Sequence, residues 1–149
     1  MNLVNVKKKW EKGFKITACA SRGSKFYIIM TKDTHEYKGR RQLFFTRKSW
    51  QGVSSEIEKY YKEGKVITGI CYSTGLGKYF VVMTETPQGQ AYERFDNSTA
   101  RGNWVQEKHK ERFHITTIFK DPTDNNILMV MTKDETRSRY ISRINYKMV

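Results

Sequence analysis

A short block of sequence recurs three times at a nearly constant spacing, and this repeat constrains the fold more than any other feature of the chain. The block reads WEKGFKIT at 10–17, YKEGKVIT at 61–68 and HKERFHIT at 109–116. A second block ending in Met-Thr follows each copy, at 27–31, 80–84 and 129–132. A fixed period of about 50 residues is typical of repeat architectures. We predict three tandem repeats, at 4–53, 54–101 and 102–149.

Each repeat has the pattern of one short helix followed by three strands. Residues 54–63 carry Ile57, Tyr60 and Tyr61 at helical spacing, with Ser54 or Ser55 as the N-cap and Gly64 at the end. The following segment alternates apolar and polar residues, which is typical of a strand, and the Met-Thr segment is apolar on both faces, which favours a central strand. Third strands are expected at 42–47, 91–95 and 139–146.

These elements predict a mainly β fold with short helices, in which each repeat is a helix plus a three-stranded antiparallel unit. The length of 149 residues favours one domain, 1–149. Three such units form either a propeller-like ring or another compact β-repeat body, and known propellers have four to eight blades. The chain therefore closes as a monomer, forms a homodimer of six units, or enters a larger assembly. The sequence leaves these alternatives open.

The repeat resembles a known family through the start WEKGFKIT at 10–17 and the block VVMT at 81–84. Both are similar to the tandem β-rich repeats that lie C-terminal to the kinase domain in plant casein-kinase-1-like, Mut9-type nuclear kinases. The resemblance implies a β-repeat accessory domain in a nuclear or chromatin setting. This sequence has Tyr61, His109 and Arg112 where the pattern expects Trp, Trp and Gly, and it contains no kinase domain. No family active-site residue has a counterpart here.

Composition and the N-terminal residues point to an intracellular protein. No apolar run reaches the roughly 20 residues of a membrane helix, so we expect no membrane partner. The first ten residues contain three lysines and no apolar core of a secretion signal. Cys19 and Cys71 are too few for a disulfide framework, and we interpret them as buried thiols in a reducing compartment.

A search for catalytic chemistry leads to the prediction of a non-enzymatic protein without metal or cofactor. The glycine pair at Gly75 and Gly77 fits a hairpin turn better than a phosphate-binding loop. His114 falls on the polar side of its strand, and no histidine or cysteine group has zinc-ligand spacing. The acidic stretch 121–126 fits a turn better than a calcium loop, because it lacks the glycine and terminal glutamate of that loop.

The main functional indication is charge, since 28 lysines and arginines stand against 15 aspartates and glutamates. A folded domain with this excess is typical of proteins that bind polyanions. In the last predicted strand, basic residues occupy odd positions and apolar residues even ones, which places a basic stripe on one face. The candidate polyanion-binding residues are Lys7, Lys8, Lys9, Lys12, Arg40, Arg41, Arg47, Lys48, Lys108, Lys110, Arg137, Arg139, Arg143 and Lys147.

Two functions fit this surface. The first is a β-repeat module that binds nucleic acid or chromatin, chiefly through backbone phosphates, with Phe44, Trp50 and Trp104 as candidates to stack on bases. The second is a structural subunit of a large assembly, such as a viral capsid or a cytoskeletal array, whose basic surface contacts acidic protein neighbours. Lysines that only keep the protein soluble remain a third interpretation of the same charge.

Overall fold

The computed structural model describes residues 3–32 and 38–133, and nearly half of these lie in strands. The mainly β fold with short helices is confirmed. In chain order the elements are α1 (Leu3–Glu11), β1 (Phe14–Arg22), β2 (Lys25–Lys32), β3 (Gln42–Arg47), α2 (Trp50–Lys62), β4 (Lys65–Ser73), β5 (Lys78–Glu85), β6 (Gln90–Phe95), α3 (Ser98–Lys110), β7 (Phe113–Lys120) and β8 (Ile127–Lys133).

The strands form three small antiparallel sheets, and the chain divides into two compact units. The first unit, Met1–Pro87, contains the two-stranded sheet β1-β2 and the sheet with strand order β3-β5-β4. The second unit, Gln88–Val149, contains the sheet with order β6-β8-β7. The third strand that the sequence predicts at 139–146 lies outside the described residues.

The strands are grouped differently from the prediction that each helix is followed by its own three-stranded sheet. β3 pairs with β5, which comes after the next helix, and β6 pairs with β8 in the same way. Because β3 and β4 are both antiparallel to β5, they run parallel to each other and flank it. A parallel return needs a long crossover, and α2 supplies it between β3 and β4. Each of the two three-stranded sheets is therefore built, in chain order, from a strand, a helix and two further strands.

Helix α2 begins earlier than predicted, and its N-cap is Ser49 rather than Ser54 or Ser55. The Ser49 side chain accepts a hydrogen bond from the Gly52 backbone N–H at 3.1 Å. Asn97 caps α3 in the same manner through Ala100, at 2.8 Å. These caps satisfy backbone donors at the first turn, which otherwise have no partner within the helix.

All three helices are followed by a residue in the left-handed backbone region. Gly13 has φ 87°, Gly64 has φ 80° and Arg112 has φ 72°. Glycine adopts this conformation without steric cost, whereas a residue with a Cβ does so under strain. The turn therefore explains the glycine of the repeated block, and Arg112 carries a local cost.

The threonines of the two repeated sequence blocks meet at a β-bulge. In β1, β4 and β7 the strand register shifts at Thr17, Thr68 and Thr116, respectively. Each bulged hydroxyl is hydrogen-bonded to the Met-Thr threonine of the neighbouring strand at 2.8–2.9 Å; these partners are Thr31, Thr84 and Thr132. The recurring Ile-Thr and Met-Thr pairs thus serve a single structural purpose, which is to fix the bulge and with it the register.

The side-chain amide of Gln42 connects four elements of the first unit. It donates to the Thr84 hydroxyl of β5 at 2.9 Å and to the Ile16 carbonyl of β1 at 3.0 Å. Its oxygen accepts from the Ile16 backbone N–H at 2.7 Å and from the Trp10 indole N–H of α1 at 3.0 Å. In the second unit Gln90 donates to Thr132 at 3.0 Å.

Strand β5 is buried on both faces, as the apolar pattern predicts. On one face α2 packs its Val53 and Ile57, both 0% exposed, and Trp50 makes an edge contact with Tyr79. On the other face Phe80 and Val82 share a cluster with residues of the first sheet and of α1; these are Val6, Trp10, Ile16, Cys19, Phe26, Ile28 and Met30. This cluster holds the first sheet against the second.

The prediction of burial on both faces is confirmed for β8 but is wrong for β2. In β8 the residues from Leu128 to Val130 are 0% exposed, and α3 contributes Val105 to their cluster. In β2, Tyr27 is 53% exposed and Ile29 is 63% exposed, because no described element covers that face of the two-stranded sheet. The residues of a strand show how apolar the strand is. Whether one of its faces is buried depends on which elements, distant along the chain, pack against that face.

The hairpin loops of the first two sheets touch through their backbones. The Gly75 N–H donates to the Gly23 carbonyl at 3.0 Å. A Cβ atom at Gly75 would lie 2.7 Å from the Ser24 nitrogen, so only glycine fits there. The pair Gly75 and Gly77 therefore belongs to a packed hairpin turn, as the sequence favours.

Replacing Thr84 with valine tests whether the bulge hydrogen bonds stabilise the fold. Thr84 is 0% exposed, and its loss leaves polar groups of Gln42 and Thr68 without this partner. We expect Thr84→Val to lower the free energy of unfolding by about 2 kcal/mol in urea titrations. Thr31→Val is the matched control, because the equivalent Thr17–Thr31 pair is exposed, and we expect a loss below about 0.5 kcal/mol. Equal losses would contradict this role.

Replacing Arg112 with glycine tests the strain after α3. We expect Arg112→Gly to raise the free energy of unfolding by about 1 kcal/mol, because it removes the steric cost of the positive φ. Arg112→Ala is the control, since it removes the same charge but keeps the Cβ, and it should leave stability nearly unchanged. A gain of equal size in both variants would assign the effect to charge.

Candidate polyanion-binding surface

The positive charge is unevenly divided between the two units. Residues 1–87 contain 17 lysines and arginines against seven aspartates and glutamates, a net charge of +10. Residues 88–149 contain 11 against eight, a net charge of +3. The excess positive charge therefore lies mainly in the first unit. The net charge of the whole chain does not show this division.

Helix α1 and the residue that follows it carry a group of exposed lysines. Val6 is 4% exposed and anchors the helix in the core cluster, while Lys7, Lys8 and Lys12 are exposed. None of these three lysines forms an ion pair with another residue of 3–32 or 38–133. Lys8 also lies in the last helical turn, where a cation interacts favourably with the helix dipole. Lys8 therefore stabilises the end of the helix, and all three lysines carry a charge that no described carboxylate neutralises.

A second group lies at the two ends of β3. Arg40 and Arg41 precede the strand, and Lys48 follows it. None of these three residues has an ion-pair partner within the described part of the chain. Arg47 is different, because its Nη2 lies 2.7 Å from Glu56 Oε1 and its Nη1 donates to the Thr46 carbonyl. Arg47 is therefore partly neutralised.

In the second unit, one of the two predicted binding residues that the structure describes is neutralised. Lys108 forms an ion pair with Glu111 at 3.2 Å, whereas Lys110 is exposed. Four predicted binding residues lie outside the described residues, namely Arg137, Arg139, Arg143 and Lys147. The basic stripe expected in the last strand stays a prediction.

A cation–π contact recurs between the end of each helix and the start of the strand that follows. Lys9 Nζ lies 4.6 Å from the ring centroid of Phe14, and Lys108 Nζ lies 5.4 Å from that of Phe113. In the middle copy the two partners are exchanged, with Lys65 Nζ 5.9 Å from the ring of Tyr60. Such contacts contribute about 0.5–1 kcal/mol at exposed sites. Lys9 and Lys108 are therefore partly structural.

Two exposed lysines at the end of α2 are absent from the residues predicted to bind polyanions. Lys59 and Lys62 occupy its last turn, as Lys8 and Lys9 do in α1. The preference of helix C-termini for cations could have identified them, because the helix itself was expected there. They add to the charge of the first unit.

The aromatic residues considered for base stacking are half-buried and pack against other aromatic rings. The Phe44 ring centroid lies 5.2 Å from that of Phe80, and that of Trp104 lies 5.6 Å from Phe95. Trp50 contacts Tyr79 at 6.0 Å. Each of the three rings therefore has an aromatic packing partner within its own unit.

The second unit buries several polar side chains, among them those of His114 and Arg101. His114 is only 6% exposed, so its position on a polar strand face was wrongly predicted. Arg101 is also 6% exposed and occupies the α3 position that Val53 holds in α2. Neither side chain lies on the candidate surface.

The acidic loop after β7 is a structured turn. The Asp121 carboxylate accepts from the Thr123 N–H at 2.9 Å, and Arg94 bridges Asp121 and Asp124 at 2.9 and 2.6 Å. Across 3–32 and 38–133, no three histidine, cysteine or carboxylate side chains are grouped to hold a metal ion. The loop matches the turn that the sequence favours.

Comparisons with known proteins add no relative. No protein-family model, curated protein or solved structure matches the chain. Within the described ranges, no helix has the length and apolar character needed to cross a bilayer.

Proposed function

We propose that the protein is a non-enzymatic basic β-repeat module that binds polyanions, with nucleic acid or chromatin as the principal target. The observation that carries this proposal is the net charge of +10 in the first unit, against +3 in the second. Solubility alone does not require such an excess on one unit, whereas phosphate binding does require unpaired cations.

The contacts are mainly to phosphates and depend little on base sequence. Lysines supply most of the exposed charge, and an ammonium group binds phosphate as a point charge without reading base edges. Phe44, Trp50 and Trp104 each pack against another ring of their own unit, so we expect them to contribute little stacking on bases. The module therefore binds the polyanion through its charge, and its affinity depends steeply on salt.

We propose further that the chain consists of three tandem copies of one unit, arranged in a propeller-like or similarly compact β-repeat body. The bulge threonines and the left-handed turn occur at the same place in all three copies, and a cation–π contact joins helix and strand in each, with its partners exchanged in the middle copy; these features support this origin. The single domain, the nuclear location and the kinship with Mut9-type kinase repeats belong to the same proposal.

A structural role in a protein assembly is the second candidate. The outer face of the first sheet supports it, because Tyr27 and Ile29 are largely exposed beside Ala18 and Ala20. An exposed apolar patch of this kind is typical of protein contacts. In that case the lysines of the first unit face acidic neighbours instead of phosphates.

A salt titration of binding to mixed-sequence duplex DNA tests the principal proposal. We expect the affinity of the full chain to fall by at least tenfold between 50 and 200 mM salt. The slope of log affinity against log salt concentration gives the number of neutralised phosphates, at about 0.9 per phosphate contact. Lack of binding at low salt would exclude the nucleic-acid proposal and favour the assembly role.

Two matched double variants assign the binding to the first unit. Lys8→Gln with Lys12→Gln removes two exposed charges there, and we expect the slope to fall by about 2 and the affinity to fall about tenfold. Lys110→Gln with Lys120→Gln removes two exposed charges from the second unit and should change both quantities much less. Equal losses in the two variants would contradict the assignment. Circular dichroism spectra verify that both variants fold.

A further inference from the structure

Strands β1 and β4 belong to different sheets of the first unit but lie side by side. The Ser21 hydroxyl donates to the Tyr72 carbonyl, and the Ser73 hydroxyl donates to the Gly23 carbonyl at 2.6 Å. The Gly75 N–H donates to the same carbonyl. These bonds close one end of the seam between the two sheets.

The two cysteines of the chain meet farther along this seam. A Cβ atom at Gly69 would lie 3.2 Å from Cys19 Sγ, so the Cys19 thiol lies against the β4 backbone two residues before Cys71. The two thiols are hydrogen-bonded to each other. Both belong to the apolar cluster that includes Ile16 and Phe80. Each sulfur therefore has the other as its polar neighbour.

We propose that Cys19 and Cys71 form a redox-sensitive modification site, in which mild oxidation joins them as a disulfide between the first and second sheets. Both thiols are reduced in the structure. The Cys19 sulfur lies in the space beside Gly69, and its hydrogen bond with the Cys71 thiol brings together the two atoms that the disulfide joins.

The environment gives the two sulfurs different roles. The hydrogen bond with Cys19 lowers the pKa of Cys71, whereas the hydrogen bond with Cys71, together with burial, raises the pKa of Cys19. The lowered pKa favours Cys71 as the attacking sulfur, and the serine variants described below test this assignment. Cys19 remains a thiol and is the second, resolving sulfur.

Hydrogen peroxide is the oxidant that suits this site, because Cys71 is only 7% exposed and a small molecule reaches it most readily. The Cys71 thiolate attacks one peroxide oxygen, the O–O bond breaks, and a sulfenic acid and hydroxide form. The Cys19 sulfur then attacks the Cys71 sulfur, forming the S–S bond and breaking the S–O bond. Two thiols and one peroxide thus become one disulfide and two waters. A small thiol reverses the step by exchange.

The crosslink fastens the two-stranded sheet to the rest of the first unit. The chain between the two cysteines includes β2, β3 and α2, so the disulfide closes a long loop in the unfolded state. Disulfides that close long loops restrict the unfolded chain strongly. We expect the oxidised protein to melt roughly 10 °C above the reduced one.

Peroxide titration of the reduced full chain tests the proposal. We expect both thiols to be lost together, the intact mass to fall by about 2 Da, and peptide mapping to find Cys19 linked to Cys71. The mass and the melting temperature should return after treatment with a small thiol. Oxidation to separate sulfinic acids, or to disulfide-linked dimers, would overturn the proposal.

Single serine variants separate the two roles. In Cys19→Ser the sulfenic acid at Cys71 has no resolving thiol, so a sulfenic-acid trap should label it. In Cys71→Ser the remaining Cys19 thiol should react with peroxide at least about tenfold more slowly than Cys71 does in Cys19→Ser, because the pKa of Cys19 is not lowered. Equal peroxide rates in the two variants would contradict the assignment of Cys71 as the attacking sulfur.

Discussion

The side-chain amide of Gln42 is the interaction on which the first unit depends most. It satisfies both backbone groups of Ile16, the Trp10 indole and the Thr84 hydroxyl, which lie on β1, α1 and β5. Buried polar groups stabilise a fold only when all of them have partners. The amide therefore fixes how α1 and the first sheet meet the second sheet. The apolar cluster around Phe80 packs between these same elements, namely α1, the first sheet and the second sheet.

Much of the local structure was predictable because it follows from short-range chemistry. The recurring Ile-Thr and Met-Thr blocks indicated strands, and the structure places their threonines in contact at the bulge. The pairing of β3 with β5 was not predictable, since it depends on α2 acting as a crossover. The burial of Arg101 and His114 and the exposure of Tyr27 were missed for a related reason. Each depends on which distant element covers the position, and alternation along one strand does not contain that information.

The candidate surface was predictable in composition but not in distribution. The sequence identified only part of the exposed lysines and arginines, and their concentration in residues 1–87 emerged only when the chain was divided into its compact units. The structure also separates cations by their surroundings. Arg47 and Lys108 have carboxylate partners, and Lys9 lies over an aromatic ring. The cations available to a binding partner are the exposed ones that no neighbouring group neutralises.

The contact between Gly75 and Gly23 limits how this chain can vary. Hairpin loops are usually the places where related proteins gain or lose residues, because they end in solvent. The loop at 74–77 meets a second loop backbone to backbone, and even a methyl group at Gly75 would collide with it. Its length and its glycine are therefore constrained as tightly as a core position. The exposed residues 122–125 of the last hairpin belong to a loop held by its own side chains. An epitope tag or a fluorescent label is better accommodated there than at the junction of the first two sheets.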